Sequence, residues 1–286
     1  MTEYKIANGE NRMSPEPWSH EVLPEVELLY YPRLERTGMV KHCFTTRRGG
    51  VSQGIFSSMN LSFTRGDDEE AVKENFRRVA KAMGVEYERI VCSDQTHTTC
   101  VRRVTQEDAG CGLVRERTYH EVDGLITDVP GITLATFYAD CVPLYFVDPK
   151  HRAIGLSHSG WRGTVHRMAR ETLQAMHTAY GTKPQDVLCA IGPSICRSCY
   201  EVGEDVAAAF RDGFGNKTDT ILFPEDNGRY QLDLWQANVC VLQETGVLEE
   251  QIIRPNLCTC CNDKLLFSHR ASHGKRGNLA AFLCIV

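Results

Sequence analysis

The 286-residue chain has no apolar run near the roughly 20 residues that a helix needs to cross a bilayer. Stretches such as Val142 to Val147 fall far short, so no membrane segment is expected. It also lacks an excess of positive charge: 32 Lys+Arg against 37 Asp+Glu give a formal net charge of -5, and no overall field exists to hold a polyanion. Nucleic acid is therefore not an expected partner. The opening residues, MTEYKIANGENRM, lack the basic start and apolar core of a secretory signal, and the expected location is cytoplasmic. Low-complexity tracts and repeats at solenoid or propeller periods are absent too, which excludes repeat arrays.

What remains is an ordinary globular composition, 42% hydrophobic and 24% charged, in a chain long enough for one large core. It reads as a single domain over residues 1–286. Residues 1–36 form an irregular or edge-strand lead-in, holding four of the 11 prolines by Pro32. Thirteen cysteines is a high count, but scattered through a long chain with an intracellular-looking start they read as thiols or metal ligands before disulfides.

The spacing predicts one helix from Asp67 to Gly84, with Val72, Phe76, Val79, Ala80 and Met83 on one face. A second is predicted from about Thr164 to Gly181. Strand-like runs lie at Ile90-Val91, Ile132 to Tyr138, Val142 to Val147, Ala153 to Ser157 and Val187 to Ile191, separated by Gly, Pro and Asp turns. Helices and strands are mixed, which gives an α+β fold. Asp148-Pro149-Lys150-His151 reads as the turn of an antiparallel hairpin centred between Pro149 and Lys150. That centre sets Cys141 directly opposite His158, where Cβ atoms stand about 4.5–5.5 Å apart. Pro143 argues for an edge or a break just after the cysteine, since it cannot donate to a ladder.

A thiolate and an imidazole held together serve either as a nucleophile with its base or as two ligands of a borderline-soft metal such as zinc. His97, in the polar loop after the strand that ends at Cys92, is placed to be a third ligand, or else a surface histidine. Two histidines and one cysteine with a fourth position open is the count of a catalytic zinc site. Around His158, the segment Ser157-His158-Ser159-Gly160-Trp161-Arg162-Gly163-Thr164 offers an anion site through Gly160, Arg162 and a helix start, or else a packed strand-to-helix turn. Arg48, in Arg47-Arg48-Gly49-Gly50-Val51-Ser52, lies in a basic loop able to recognise a carboxylate or phosphate. Cys196-Arg197-Ser198-Cys199 and Cys258-Thr259-Cys260-Cys261 superficially resemble a zinc-ribbon set that in principle converges into a second, structural metal site, but about sixty residues separate them, longer than usual for that class, so buried or redox-passive thiols are the default reading. His269 and His273 stand four apart in a segment that reads as loop, and helical co-ligation is not expected.

As a set, Phe44 to Ser52, Gln95-Thr96-His97, Ala139-Asp140-Cys141, His158 to Gly163, Ile191 to Ile195 and Cys199 to Gly203 closely resemble the YfiH-like, or laccase-domain, family, from about residue 38 to 283. The resemblance implies a mixed architecture with a β-sandwich-like core flanked by helices, and a metal held by His97, Cys141 and His158. It further implies zinc-dependent purine nucleoside phosphorylase activity on adenosine, inosine, guanosine and methylthioadenosine, with adenosine deamination in addition; the partners are then a purine nucleoside and phosphate. Many relatives have an arginine pair after a Ser-Tyr where this chain has Ser268-His269-Arg270-Ala271, and Cys260-Cys261 adds a thiol.

On that reading Cys141, His158, Arg48 and Asp140 carry the chemistry. Arg48, Gly160 and Arg162 cradle phosphate, and Asp140 orients a ligand, serves as acid or base, or caps a turn. The usual zinc-deaminase signature, His-x-Glu with a later Pro-Cys-x-x-Cys, is absent. Three other readings remain. One is a copper-dependent, laccase-like polyphenol oxidase, which ten histidines without a His-x-His pair disfavour as a multicopper cluster. Another is a Cys-His hydrolase editing a peptidoglycan precursor, with activity that survives metal removal. The third is a zinc-stabilised binding module without turnover.

Overall fold

The computed structural model describes residues 19–22 and 26–286. Of the expected N-terminal lead-in, Ser19–Val22 and Glu27–Tyr30 are strands at the edge of a sheet, while residues 1–18 lie outside the described residues.

Two mixed six-stranded sheets form the core. The first runs in the order Ser19–Val22, Glu27–Tyr30, Val40–Thr45, Leu279–Ile285, Thr133–Tyr138 and Ile90–Cys92. The second runs Ile252–Ile253, Leu188–Ile191, Val142–Asp148, Ala153–Ser159, Gly124–Thr127 and Val101–Arg103. Strand alternation explains why both faces of each sheet are apolar. On Leu279–Ile285, the odd positions Leu279, Ala281, Leu283 and Ile285 join Tyr145, Val147, Ile154 and Leu156 of the second sheet in a core between the sheets. Ala280 and Phe282 point the other way, onto the helix Glu69–Met83. On the far side Val142, Leu144 and Phe146 meet the helices Met168–Tyr180, Glu204–Phe214 and Leu234–Glu244. The result is an α+β fold of four layers, helix, sheet, sheet and helices, with a sandwich at its centre.

The first predicted helix forms as Glu69–Met83. Asp68 caps it by accepting from the Ala71 N–H, and Gly84 ends it in the left-handed region at φ 63°. The second is interrupted: Trp161–Val165 and Met168–Tyr180 are separate helices because Arg167 adopts φ 66°. Its guanidinium holds that turn by donating to Val165 O and Gly213 O and pairing with Glu244.

The hairpin also differs from expectation by two residues. Asp148 Oδ1 accepts from the N–H of Lys150 and of His151, and Arg152 takes φ 49°, so four residues make the turn and Asp148 pairs with Ala153. His158 therefore faces Pro143, not Cys141. A slip of two conserves the face, whereas a slip of one would have inverted it. Cys141 and His158 still lie on the side that faces the first sheet, one step apart along the ladder.

Candidate active site

Three segments end at the same edge of the sandwich. The chain leaves the first sheet at Tyr138 and enters the second at Val142, so Ala139-Asp140-Cys141 is the crossing between sheets. The loop after Ile90–Cys92 follows the same strand as its parallel neighbour. The Gln95 side chain extends that pairing, donating to Phe137 O at 2.7 Å and accepting from the Phe137 N–H at 2.6 Å. His158 closes the group from Ala153–Ser159.

His97, Cys141 and His158 each bring one ligand atom to within 4.8 Å of the others. They are graded from solvent to core: His97 is exposed, Cys141 half-buried and His158 buried. Two non-glycine residues here adopt left-handed backbone, His97 at φ 67° and Asp140 at φ 86°, conformations that surrounding contacts must hold. For His97 the holder is Asp123, whose carboxylate accepts the backbone N–H of Thr96, His97 and Thr98. For Asp140 the holders are Thr259 Oγ1 at 2.6 Å and the Arg270 N–H at 2.7 Å, one on each carboxylate oxygen. Gly160 is needed for approach, not for its torsion: a Cβ there would lie 3.0 Å from the His97 ring and 3.1 Å from Cys141 Sγ.

Asp123 is the residue that sequence reading missed. It is fully buried, and its Oδ1 lies 2.7 Å from His158 Nδ1, which turns Nε2 toward Cys141. Burial alone raises its carboxyl, but the His158 ring and the N–H groups of Thr96 and Thr98 outweigh this and hold it below its ordinary value. Burial likewise raises the Cys141 thiol, but His158 and His97 overcome that and bring it down to about 6. His158, which burial alone would lower, is pushed up to about 9 by Cys141 and Asp123. The electrostatics favour a thiolate, the form that binds metals and attacks electrophiles.

A cavity of about 270 Å³ opens over this group. Its wall includes Phe63 and Phe137, polar Gln95 and Asn278, and the guanidinium-bearing Arg65, Arg117 and Arg276. Arg276 is half-buried with a buried Nε that has no hydrogen-bond partner, and burial together with Arg65 pulls its pKa down to about 10. The structure does not bring Arg48 or Arg162 to this wall. Arg48 pairs with Glu27 at 3.3 Å, and the exposed Arg162 lies over the Trp161 ring. No run of glycines or arginines marks Arg65 or Arg276, which is why they escape a reading by motif.

An α+β sandwich with a thiol and two imidazoles converging at one edge defines an enzyme of the laccase-domain class. The model of the multi-copper polyphenol oxidoreductase laccase family matches residues 41–286, and the chain belongs to that family, in its YfiH/YlmD branch. It is 38% identical over 240 residues to a protein of Geobacillus stearothermophilus named purine nucleoside phosphorylase YlmD, covering 84% of this chain and 88% of that one. The crystal structure of YlmD from the same organism matches with a TM-score of 0.88 at 34% identity, over 95% of this chain and 99% of that one. A protein named adenosine deaminase RL5, from an unknown prokaryotic organism, is 33% identical over 229 residues, 79% of this chain and 87% of that one. The chain is thus a member of a purine nucleoside phosphorylase and adenosine deaminase family of enzymes.

Two groups of the described residues can hold a metal: His97 with Cys141 and His158, and the four cysteines Cys196, Cys199, Cys258 and Cys261. The sixty-residue separation does not keep these cysteines apart, and the four come together as free thiols. Only the first group contains histidine, and its two imidazoles fall short of the several that a multicopper cluster needs. No helix among the described residues is long and apolar enough to cross a membrane.

Proposed function

We propose that the protein is a zinc-dependent purine nucleoside phosphorylase acting on adenosine, inosine, guanosine and methylthioadenosine, with adenosine deamination as a second activity. The observation that carries this is the meeting of His97, Cys141 and His158 beneath a cavity whose wall also presents Arg65 and Arg276. A thiolate and two neutral imidazoles are the donor set of an open catalytic zinc site, and the lowered Cys141 thiol and the Asp123 contact to His158 Nδ1 fit that metal. Bound there, zinc supplies Lewis-acid polarisation of a substrate or water oxygen.

The chain's own groups do the rest. Arg276 and Arg65 hold phosphate beside the ribose anomeric carbon, and their positive charge offsets charge that gathers as the bond to the purine breaks. An oxygen of hydrogen phosphate forms the new bond to that carbon, the base leaves with the bonding pair and takes up the proton the phosphate gives up, and the products are free purine and ribose-1-phosphate. Phe63 and Phe137 offer apolar surface to the purine face and shed water from the cavity. Asp123 fixes the imidazole of His158. Asp140, held by Thr259 Oγ1 and the Arg270 N–H, positions Cys141. Arg48 is left to shape its loop through Glu27, and Arg162 lies on the helix Trp161–Val165 over the Trp161 ring. A reducing compartment such as the cytoplasm suits a chain in which all 13 cysteines are free.

The test is chromatography of adenosine incubated with phosphate and zinc-loaded protein, beside identically purified Cys141→Ala. Adenine and ribose-1-phosphate from the native chain alone support the reading; equal traces from both sink it. The thiolate-imidazolium pairing of Cys141 with His158 also favours a second reading, a cysteine hydrolase. Turnover of a peptide or ester that persists after the metal is stripped would select that one.

A further inference from the structure

We propose that Cys196, Cys199, Cys258 and Cys261 hold a second, structural zinc ion as a closed tetrathiolate. The four belong to two Cys-x-x-Cys segments, each bringing two sulfurs to one side of a short turn. The first is the 3-10 turn Arg197–Cys199, closed by the Cys199 N–H donating to Cys196 O. The second is fixed by the Asn262 side chain donating to Cys258 O at 2.8 Å. The two turns meet because Ser194 and Cys258 form a parallel bridge, and the Trp235 indole N–H secures Ser194 Oγ from behind at 2.7 Å.

The sulfurs have the spacing of a tetrahedral metal site. Zn–S bonds of about 2.3 Å put tetrahedral ligands about 3.8 Å apart. Here Cys199 and Cys261 are 3.4 Å apart, Cys196 and Cys261 are 4.0 Å apart, and all four Sγ atoms lie within 4.8 Å of one another. All four are free thiols, so no disulfide explains the convergence. Cys258 Sγ accepts the backbone N–H of both Cys196 and Cys261, the support that a metal-bound thiolate receives from its surroundings. Arg270 adds positive charge alongside, donating to Cys199 O and Glu201 O. Four sulfurs and no open position make the site structural.

Its consequence reaches the other centre. Thr259, inside the second turn, donates to Asp140 Oδ1, and Ile195, next to Cys196, donates its N–H to Asp140 O at 3.0 Å. Both turns therefore grip the residue that precedes Cys141. A metal joining them stiffens the crossing on which Cys141 sits, whatever Cys141 itself binds.

Native mass spectrometry and elemental analysis of the full-length protein, with Cys141→Ala and Cys141→Ala/Cys199→Ser beside it, test the assignment. Cys141→Ala keeps one zinc, the double variant loses it, and cobalt substituted into Cys141→Ala gives the visible bands and thiolate charge-transfer absorption of a tetrathiolate. Should Cys199→Ser misfold, the native chain still decides: half-exposed Cys199 and Cys261 resist alkylation until a chelator is added, while exposed Cys100 reacts throughout. A Cys141→Ala protein that folds without metal, iron in place of zinc, or alkylation of Cys199 and Cys261 indifferent to chelator would each overturn the proposal.

Discussion

Asp123 Oδ1 stands 2.7 Å from His158 Nδ1 and accepts the backbone N–H of His97 at 3.1 Å, so one buried oxygen aligns both imidazoles. An amide in its place keeps one acceptor and loses the charge. Asp123→Asn is expected to fold and to weaken zinc binding by about 10–100-fold, the usual effect of removing a carboxylate behind a metal-ligating histidine. A zinc-competition titration measures it, and native affinity in the variant would mean that His158 is oriented by something else.

Gly160→Ala separates fold from site. Gly160 has φ -72° and ψ -178°, extended backbone open to any residue, so an alanine there brings no torsional strain. The new methyl, however, meets the His97 ring at 3.0 Å and Cys141 Sγ at 3.1 Å. The expected result is a denaturation midpoint close to that of the native chain, because the exposed His97 loop absorbs the methyl, with turnover lower by about 100-fold as the ligands are pushed apart. Unchanged turnover would show that the loop gives way freely.

His42 sets an acid limit on stability. It lies buried among Tyr30, Tyr31 and Tyr145, its Nε2 accepts the Tyr31 N–H at 2.8 Å, and burial pushes its pKa down to about 3. Its unfolded value is about 6.5, so below that pH the unfolded chain takes up a proton that the fold refuses. Stability therefore falls as pH drops from about 6.5 toward 3, by about 1.4 kcal/mol per pH unit from this group. His42→Gln keeps an acceptor without titrating. Urea denaturation across that window is expected to give a shallower slope for the variant, and parallel slopes would refute the assignment.

Much of this was legible in sequence where periodicity or punctuation is local. The helix Glu69–Met83 announces itself through its apolar face, Asp68 and Gly84. The pairing face of Cys141 and His158 survived a wrong turn centre because strand parity tolerates a shift of two. The break at Arg167 has no local signal, since its left-handed turn is held by Gly213 and Glu244 from elsewhere in the chain. Asp123 is equally silent: one aspartate before a glycine, given meaning only by the loop of residues 96–98 and the strand residue His158 that meet it. The four cysteines were visible as pairs, but their meeting depends on the bridge between Ser194 and Cys258.

Arg276 offers the sharpest test of how phosphate is held. Its buried Nε has no partner, and Arg65 stands close enough to lower its pKa, an arrangement of two like charges that an anion relieves. A hydrogen bond to a charged group is worth about 1.5–3 kcal/mol, so Arg276→Gln is expected to raise the KM for phosphate roughly 10- to 100-fold. The KM for adenosine should hardly move. Deamination consumes water in place of phosphate, so the same variant is expected to deaminate adenosine at close to the native rate while phosphorolysis falls. Steady-state kinetics with each substrate varied in turn separates the outcomes. Equal losses in both reactions would mean that Arg276 supports the metal centre or the nucleoside, and the anion site would have to be sought at Arg65 and Arg117 instead.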